Sequence, residues 1–279
     1  MNRSNFKIVK ASGDIVDFSF EKLEASLRRT GAEDALVSHI LTTVQDELYN
    51  GISTKEVYNR AYALLKKGKS VFASKYKLKK AIYELGPSGF PFEKFVAAIL
   101  KYSGYDVEVN LELQGSCVTH EIDVLAQKNG EATLVECKFH ADEGRKCDVK
   151  IPLYIHSRYN DLKEHYNNKN LIKPLSQGWV VTNTRFTSHA QQYGKCVGLY
   201  LLSWDFPKEN SLKARIDRLG LYPITAASRL TKYEKQFLLD RGVVLCRDLQ
   251  ANDFYLDHLG ISDTRKENII KEIRQLCTF

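Results

Sequence analysis

The sequence predicts a multi-domain chain: a mostly helical α+β N-terminal part, a central α/β part with a mixed sheet, and a helical C-terminal part. The length of 279 residues exceeds what one domain usually takes. Turn-forming residues interrupt the chain at Gly86-Pro87-Ser88-Gly89. Beyond them, short strand-like runs alternate with helical patterns up to residue 204. We therefore expect domains over residues 1–86, 87–206 and 207–279.

The N-terminal part begins with two short β-like runs, residues 6–10 and 14–18, around a turn at Ser12-Gly13. Ser19 has the character of an N-cap and opens a helix that ends near Gly31. Ser53 and Glu56 have the spacing of a capping box, which predicts the start of another helix. Including these, we expect four helices, over residues 20–31, 32–49, 54–65 and 71–85.

The central part has the predicted order α-β-β-β-α-β-α-β. Pro91 suits the first turn of the opening helix, and Gly104 ends it. The later elements are expected at 105–109, 120–126, 132–140, 151–166, 179–183, 186–193 and 199–204.

The strongest local signal is Asn129-Gly130, which lies between two apolar runs. This dipeptide favours a two-residue type I′ hairpin turn, because both central residues need a positive φ. In that register Asp123 faces Glu136, with Cβ atoms roughly 5 Å apart. Lys138 is two residues beyond Glu136 and shares its face of the strand.

Two facing carboxylates repel each other unless a cation lies between them. Mg²⁺ is typically held by one or two protein carboxylates together with water and phosphate oxygens. A neighbouring lysine stabilises developing charge or positions water. The alternative is a solvated strand face that carries a cross-strand Lys–Glu pair.

These residues resemble the PD-(D/E)-x-K core of Mrr-type restriction endonucleases over residues 90 to 205. The matching string is Gly115-Ser116-x-x-Thr119-His120-Glu121-Ile122-Asp123-Val124, followed by Glu136-Cys137-Lys138. The resemblance implies that Asp123, Glu136 and the carbonyl of Cys137 bind the metal and that Lys138 completes the site. It also implies that Glu93, on the preceding helix, lines the same cleft.

Two histidines flank these strands, His120 before Asp123 and His140 after Lys138. Either could act as a base or a phosphate contact, although a lone histidine is more often an ordinary hydrogen-bonding residue. No Walker-type glycine-rich loop is present, so the core is not expected to be a P-loop NTPase.

Residues 5–85 resemble the ATP-cone, a nucleotide-binding regulatory domain of ribonucleotide reductases. The matching residues are Val9-Lys10-x-x-Gly13, Phe18-x-x-Glu21-Lys22-Leu23 and Ile52-Ser53-Thr54-x-Glu56-Val57. The resemblance implies that Lys10, Gly13 and Lys22 bind ATP or dATP. Ala11 stands where the family usually has arginine, so we expect weakened binding. The alternative is a helical domain of the same shape that holds DNA or a partner.

A lysine run extends from residue 66 to 80 and contains no acidic residue. Such a run is either a solvated helix face or a contact surface for DNA phosphates. We expect DNA contacts at Lys75, Lys77, Lys79 and Lys80.

The C-terminal part weakly resembles helix-hairpin-helix repeats, around Gly242-Val243 and Gly260-Ile261. This resemblance predicts either DNA binding or assembly.

The net charge of +7 is uneven along the chain. Residues 1–90 carry 15 basic against 10 acidic side chains, residues 91–205 carry 13 against 14, and residues 206–279 carry 13 against 10. Basic ends around a near-neutral centre suit a polyanion-binding enzyme.

The six cysteines have no CxxC spacing and predict reduced thiols. Because no apolar run would span a membrane and Met1–Asn5 has no signal-peptide character, we expect a cytoplasmic protein.

Together these patterns predict an Mg²⁺-dependent DNA endonuclease, regulated by an adenine nucleotide and able to form a homo-oligomer. The competing hypothesis is a nucleotide-responsive DNA-binding regulator whose nuclease core is inactive. The intact set of Asp123, Glu136 and Lys138 favours the enzyme.

Overall fold

The computed structural model describes residues 6–10, 12–169 and 174–278. Its N-terminal part combines a small sheet with helices. Three strands, β1 (Lys7–Val9), β2 (Ile15–Asp17) and β3 (Ile52–Ser53), form a sheet in the order β2-β1-β3. Strand β1 is antiparallel to β2 and parallel to β3. The helices are α1 (Phe20–Arg28), α2 (Asp34–Asp46), α3 (Thr54–Gly68), α4 (Ser70–Tyr76) and α5 (Leu78–Tyr83).

Two of the predicted helix starts in this part, those of α1 and α3, are confirmed by their caps. The Ser19 hydroxyl accepts a hydrogen bond from the backbone N–H of Lys22 at the start of α1. The Ser53 hydroxyl accepts one from the N–H of Glu56 at the start of α3. Each cap satisfies a backbone donor that has no partner within the helix. The predicted fourth helix is two helices instead, because the chain bends at Lys77 between α4 and α5.

The N-terminal part has its own apolar core. The largest side chains fully buried in it come from α1, α2, β3 and α3: Leu27, Ile40, Ile52 and Leu65. The apolar residues recur at helical spacing on the inner face of each helix, which is what buries them.

The central part contains a five-stranded mixed sheet and the helices that pack on it. The elements are α6 (Phe90–Tyr102), β4 (Asp106–Gln114), β5 (Thr119–Lys128), β6 (Glu131–Lys138), α7 (Lys150–Lys169), β8 (Leu175–Thr182), α8 (Ser188–Cys196) and β10 (Tyr200–Leu202). The strands of the sheet have the order β10-β8-β6-β5-β4. A short parallel pair, β7 (Lys146–Cys147) with β9 (Arg185–Phe186), lies beside them. This order confirms the predicted mixed α/β architecture.

Helices cover both faces of the sheet. Phe95 of α6 shares a buried cluster with Val124 and Val135 of the hairpin strands. Leu162 of α7 shares another with Leu134. The central strands are therefore buried on both faces, as expected for an α/β sheet.

The C-terminal part is helical, as predicted. It contains α9 (Leu212–Leu219), α10 (Lys232–Asp240), α11 (Cys246–Ala251), α12 (Phe254–His258) and α13 (Asp263–Cys277), with short 3₁₀ helices at Lys208–Asn210 and Ile224–Ala226. Leu245 and Ile273 belong to the same buried cluster as Phe95 of α6. The central and C-terminal parts therefore share one core, to which α5 also contributes Leu78 and Ile82.

All six cysteines are free thiols. Within the described ranges, no helix is both long enough and apolar enough to span a bilayer.

Candidate active site

The site lies where two strands of the central sheet separate. Strands β5 and β6 pair from Lys128↔Glu131 to Val124↔Val135, which is the predicted register. Asn129 and Gly130 have positive φ values of 53° and 84°, as a type I′ turn requires. Beyond Val124, β5 continues beside β4 and β6 continues beside β8. We call this point the strand fork; Asp123 and Glu136 are the next residues on its two arms.

Asp123 makes a side-chain link across the fork, where the two strands no longer pair. Its Oδ2 accepts a hydrogen bond of 2.6 Å from the backbone N–H of Cys137 on the other arm. Burial raises the pKa of Asp123, opposed by that hydrogen bond and by the charge of Arg158. One carboxylate oxygen is thus committed to the backbone, and the carboxyl group is fixed in place.

Glu136 is held from the opposite side by a helix. Arg158 of α7 donates from Nη1 to Oε2 of Glu136 at 2.8 Å, and its Nη2 donates to the carbonyl of Glu121. Burial, followed by the negative charge of Asp123, raises the pKa of Glu136 to about 7, although Arg158 opposes this shift. The two carboxyl groups are therefore close enough for their charges to repel each other.

Glu93, in the first turn of α6, belongs to the same group of charges. Burial raises the pKa of Glu93 to about 7, and the charges of Asp123 and Glu121 add to the increase. Helix α6 thus places a third carboxyl group within electrostatic reach of Asp123.

Lys138 is the exposed last residue of β6. Its carbonyl accepts a hydrogen bond of 2.7 Å from the Thr182 hydroxyl, which anchors the strand end. Its positive charge lowers the pKa of both Asp123 and Glu136, so Lys138 lies within electrostatic reach of the two carboxyl groups. Glu93, Asp123, Glu136 and Lys138 therefore belong to one group of interacting charges.

The donor set can be compared with what a metal ion needs. In the described part of the chain, no three His, Cys, Asp or Glu side chains form a cluster that could hold a metal by themselves. Mg²⁺ does not need such a cluster, since it keeps several waters and commonly uses one or two carboxylates. Asp123 and Glu136, both hard oxygen donors, fit that requirement. The thiol of Cys137 is not expected to take part, because burial keeps its pKa well above the usual value.

The two histidines have structural partners. His120 Nε2 lies 2.7 Å from Oδ2 of Asp161 on α7. The backbone N–H of His140 donates to Asn183 Oδ1 at 2.9 Å, and its carbonyl accepts from Asn183 Nδ2 at 2.8 Å. Burial also lowers the pKa of His140, which favours the neutral form of the ring. These contacts match the plainer alternative, ordinary hydrogen-bonding histidines.

Similarities to known proteins bear on these residues. A restriction endonuclease family model matches residues 86–204, and the model of the AF1548-like C-terminal domain matches residues 222–277. A protein of Archaeoglobus fulgidus, named only as uncharacterized, is 32% identical over 182 residues, which are 65% of this chain and 99% of the archaeal one. The chain belongs to the AF1548-like family.

Two solved structures are also similar to this AF1548-like chain. The crystal structure of AF1548, titled a protein of unknown function, has a TM-score of 0.55 and 31% identity, covering 68% of this chain and 98% of that one. The DNA modification-dependent restriction endonuclease AspBHI has a TM-score of 0.31 and 15% identity, covering 59% and 38%. The second similarity is too low to support an argument. Neither family model covers residues 1–85, so the ATP-cone resemblance stays a prediction.

Three residues of the AF1548-like site were missed in the sequence. Arg158 and Asp161 lie on α7, at least twenty residues from either strand of the hairpin, and nothing in their local pattern marks them. Glu121 could have been predicted from the sequence. Residues two apart on a strand share a face, so the argument that placed Lys138 beside Glu136 also places Glu121 beside Asp123.

The lysines predicted to bind DNA have different surroundings. Lys77 is 12% exposed and donates to Glu84 at 2.6 Å and to the carbonyl of Thr225 at 3.2 Å. Burial lowers the pKa of Lys79. Lys75 is half-buried, whereas Lys80 is exposed. DNA binding by these four residues stays a prediction, with Lys80 the best presented of them.

The residues predicted to bind nucleotide lie at the start of the N-terminal part. Lys10 and Asp14 are joined by a backbone hydrogen bond of 2.9 Å across a turn in which Gly13 has a φ of 85°. Lys22 is exposed in the first turn of α1. Ala11 lies outside the described residues.

Proposed function

We propose that this protein is a divalent-metal-dependent endonuclease that hydrolyses phosphodiester bonds in DNA. The observation that carries the proposal is the strand fork, where Asp123 and Glu136 face each other beside Lys138 and Glu93. The restriction endonuclease match over residues 86–204 supports the nuclease class. Restriction, defence and repair are all compatible settings for this activity.

Asp123 and Glu136, with the carbonyl of Cys137, are the proposed holders of Mg²⁺. A bound Mg²⁺ would supply charge neutralisation at the phosphate and a more acidic water. The raised pKa of Glu136, caused in part by Asp123, is the electrostatic sign that this pair favours a cation. The resident cation, Arg158, already neutralises one side of Glu136.

Lys138 has a separate task in the proposal. Its ammonium group holds the attacking water and stabilises the negative charge that develops on the phosphate. Glu93, with a pKa of about 7, can accept or hold a proton at neutral pH and completes the acidic lining.

A cleavage assay with supercoiled and linear duplex DNA tests the proposal. Wild-type protein should cut in Mg²⁺ and not in EDTA. Asp123→Ala should lower the cleavage rate by roughly 100-fold or more, the usual cost of losing a charge-stabilising group. Glu131→Ala is the matched control, because Glu131 is an exposed carboxylate at the turn end of the same hairpin, away from the fork.

Full activity in the Asp123→Ala protein would overturn the assignment of this site. Absence of cleavage by wild type on every duplex, with binding intact, would favour the regulator with an inactive core. Running the same assay with and without ATP or dATP tests the proposed nucleotide control through Lys10, Gly13 and Lys22. A response that disappears in Lys22→Ala supports that control.

A further inference from the structure

A large basic groove lies between the N-terminal and C-terminal parts of the chain, and none of its described lining residues belongs to the strand fork. It has a volume of 810 Å³ and runs between the α3–α4 connection and the start of α13. Its basic residues are Lys66, Lys67, Lys69, Arg229 and Arg265. Every other described lining residue is Gly, Ser, Thr, Asn or Gln, so no carboxylate lines it. We call this the junction groove.

The walls of the junction groove are fixed to each other by Glu272. This side chain, 1% exposed on α13, accepts hydrogen bonds from the hydroxyl of Ser74 on α4 at 2.9 Å and from the hydroxyl of Ser228 at 2.6 Å. It also accepts from the backbone N–H groups of Ser228 and Arg229, at 3.2 and 3.0 Å. One carboxylate thus joins the N-terminal lysine segment to the C-terminal wall, and the spacing of the basic residues is set before any ligand arrives.

Three of the five cations are not committed to acidic partners. Lys69 pairs with Glu33 at 3.2 Å, and Arg265 pairs with Glu234 through two short hydrogen bonds. Lys66, Lys67 and Arg229 are exposed, and among the residues that the structure describes none of them has a carboxylate within 4.0 Å. Uncommitted, exposed cations on a fixed frame are suited to binding an anion.

The remaining lining decides which kind of anion fits. The described lining contains no aromatic side chain on which a nucleobase could stack. Hydroxyl and amide side chains beside lysine and arginine are instead the usual donors to the phosphates of duplex DNA. The groove is therefore suited to a backbone and not to a single nucleotide.

We propose that the junction groove binds the sugar–phosphate backbone of duplex DNA, at a distance from the phosphate that is cleaved. This inference rests on the proposed function, since it assumes that DNA is the substrate. It gives the N-terminal part a direct role in substrate binding, through Lys66 and Lys67, whatever that part does with nucleotides. Arg229 provides the matching contact from the C-terminal side.

The test is a comparison of two triple variants in DNA binding without Mg²⁺. The groove variant is Lys66→Ala/Lys67→Ala/Arg229→Ala. Lys55→Ala/Lys195→Ala/Lys208→Ala removes the same charge from exposed positions outside the groove lining. Affinity for a duplex is measured between about 50 and 200 mM salt, where phosphate contacts give a linear log–log dependence. A third variant, Lys66→Arg/Lys67→Arg/Arg229→Lys, keeps the charge.

The groove variant should bind at least about tenfold more weakly, with a slope flatter by up to about 0.9 for each phosphate that it no longer neutralises. The control and the charge-keeping variant should behave like wild type. Equal slopes for the groove and control variants would overturn the inference while leaving the nuclease proposal intact. Binding that depends on the groove, without cleavage by wild type, would instead overturn the nuclease proposal alone. Failure of wild type to bind any duplex would overturn both.

Discussion

Two carboxylate sites in this chain show opposite solutions to the burial of negative charge. Glu272 is almost fully buried and receives four hydrogen bonds from Ser74, Ser228 and Arg229. At the strand fork, Asp123 and Glu136 are half-buried, and each receives one hydrogen bond while lying close to the other's charge. A carboxylate that is fully satisfied holds structure together, whereas a pair left in mutual repulsion is available for a cation and for chemistry.

The difference also appears in the protonation of the fork. Burial and mutual repulsion raise the pKa of Glu93 and of Glu136 to about 7. The folded chain therefore carries an electrostatic penalty at neutral pH that a bound cation would relieve.

Removing Glu272 should have the largest effect on stability. Glu272→Ala leaves the hydroxyls of Ser74 and Ser228 and two backbone N–H groups without their acceptor in a buried or partly buried place, which costs about 3 kcal/mol of unfolding free energy. Urea unfolding measures the loss. Glu267→Ala is the control, because Glu267 is exposed on the same helix. Equal stability of the two variants would show that Glu272 is not a structural anchor.

Without a bound metal, the free energy of unfolding of the protein should fall as the pH rises through the range in which the fork carboxyl groups ionise. A carboxylate in an ordinary salt bridge has the opposite effect, because its pKa is lowered on folding. A carboxyl group whose pKa is raised on folding stabilises the protein below its unfolded pKa, and that stability is lost as the pH rises through the folded pKa. For Glu93 and Glu136 this places the loss between pH 4.5 and about 7.

Thermal unfolding in EDTA across this pH range checks the sign. Wild type should lose stability as the pH rises, Glu136→Gln should show a flatter curve, and Mg²⁺ should restore stability at neutral pH. Glu131→Gln serves as the exposed control. A Glu136→Gln curve as steep as that of wild type would remove Glu136 from the repelling pair.

Arg158 should have the smallest of these effects. Its charge and hydrogen bond lower the pKa of Glu136, so Arg158→Gln should raise that pKa further. The acidic limb of the cleavage profile, kcat/KM against pH, should then move to higher pH by a fraction of a unit, while the fold is kept. Lys163→Gln, an exposed residue on the same helix, should leave the profile in place. An unchanged limb in Arg158→Gln would show that Glu136 does not control the rate.

The features that the sequence predicted correctly depend on short-range physics. Asn129-Gly130 dictates the turn, and the turn dictates the register as far as Val124↔Val135, the pair that precedes Asp123 and Glu136. The caps at Ser19 and Ser53 are equally local, since a hydroxyl satisfies an N–H three residues away.

What could not be predicted depends on contacts between distant segments. The break between α4 and α5 occurs at Lys77, whose ammonium group is bound by Glu84 and by the carbonyl of Thr225. Because Thr225 is 148 residues away in the sequence, the pattern of residues around Lys77 carries no sign of this contact. The same holds for Glu272, whose partners lie 43 to 198 residues away.

The rotation of helix α7 about its own axis determines two separate sets of contacts. Arg158 reaches Glu136 and the Glu121 carbonyl, while Asp161, three residues on, accepts from His120 and from the backbone N–H of Cys117. Both sets of contacts thus depend on one angular setting of a single helix. One residue inserted within α7 ahead of Arg158 would turn both side chains by about 100° relative to the start of the helix. The number of residues between the start of α7 and Arg158 is therefore as constrained as the identity of the residues on the helix.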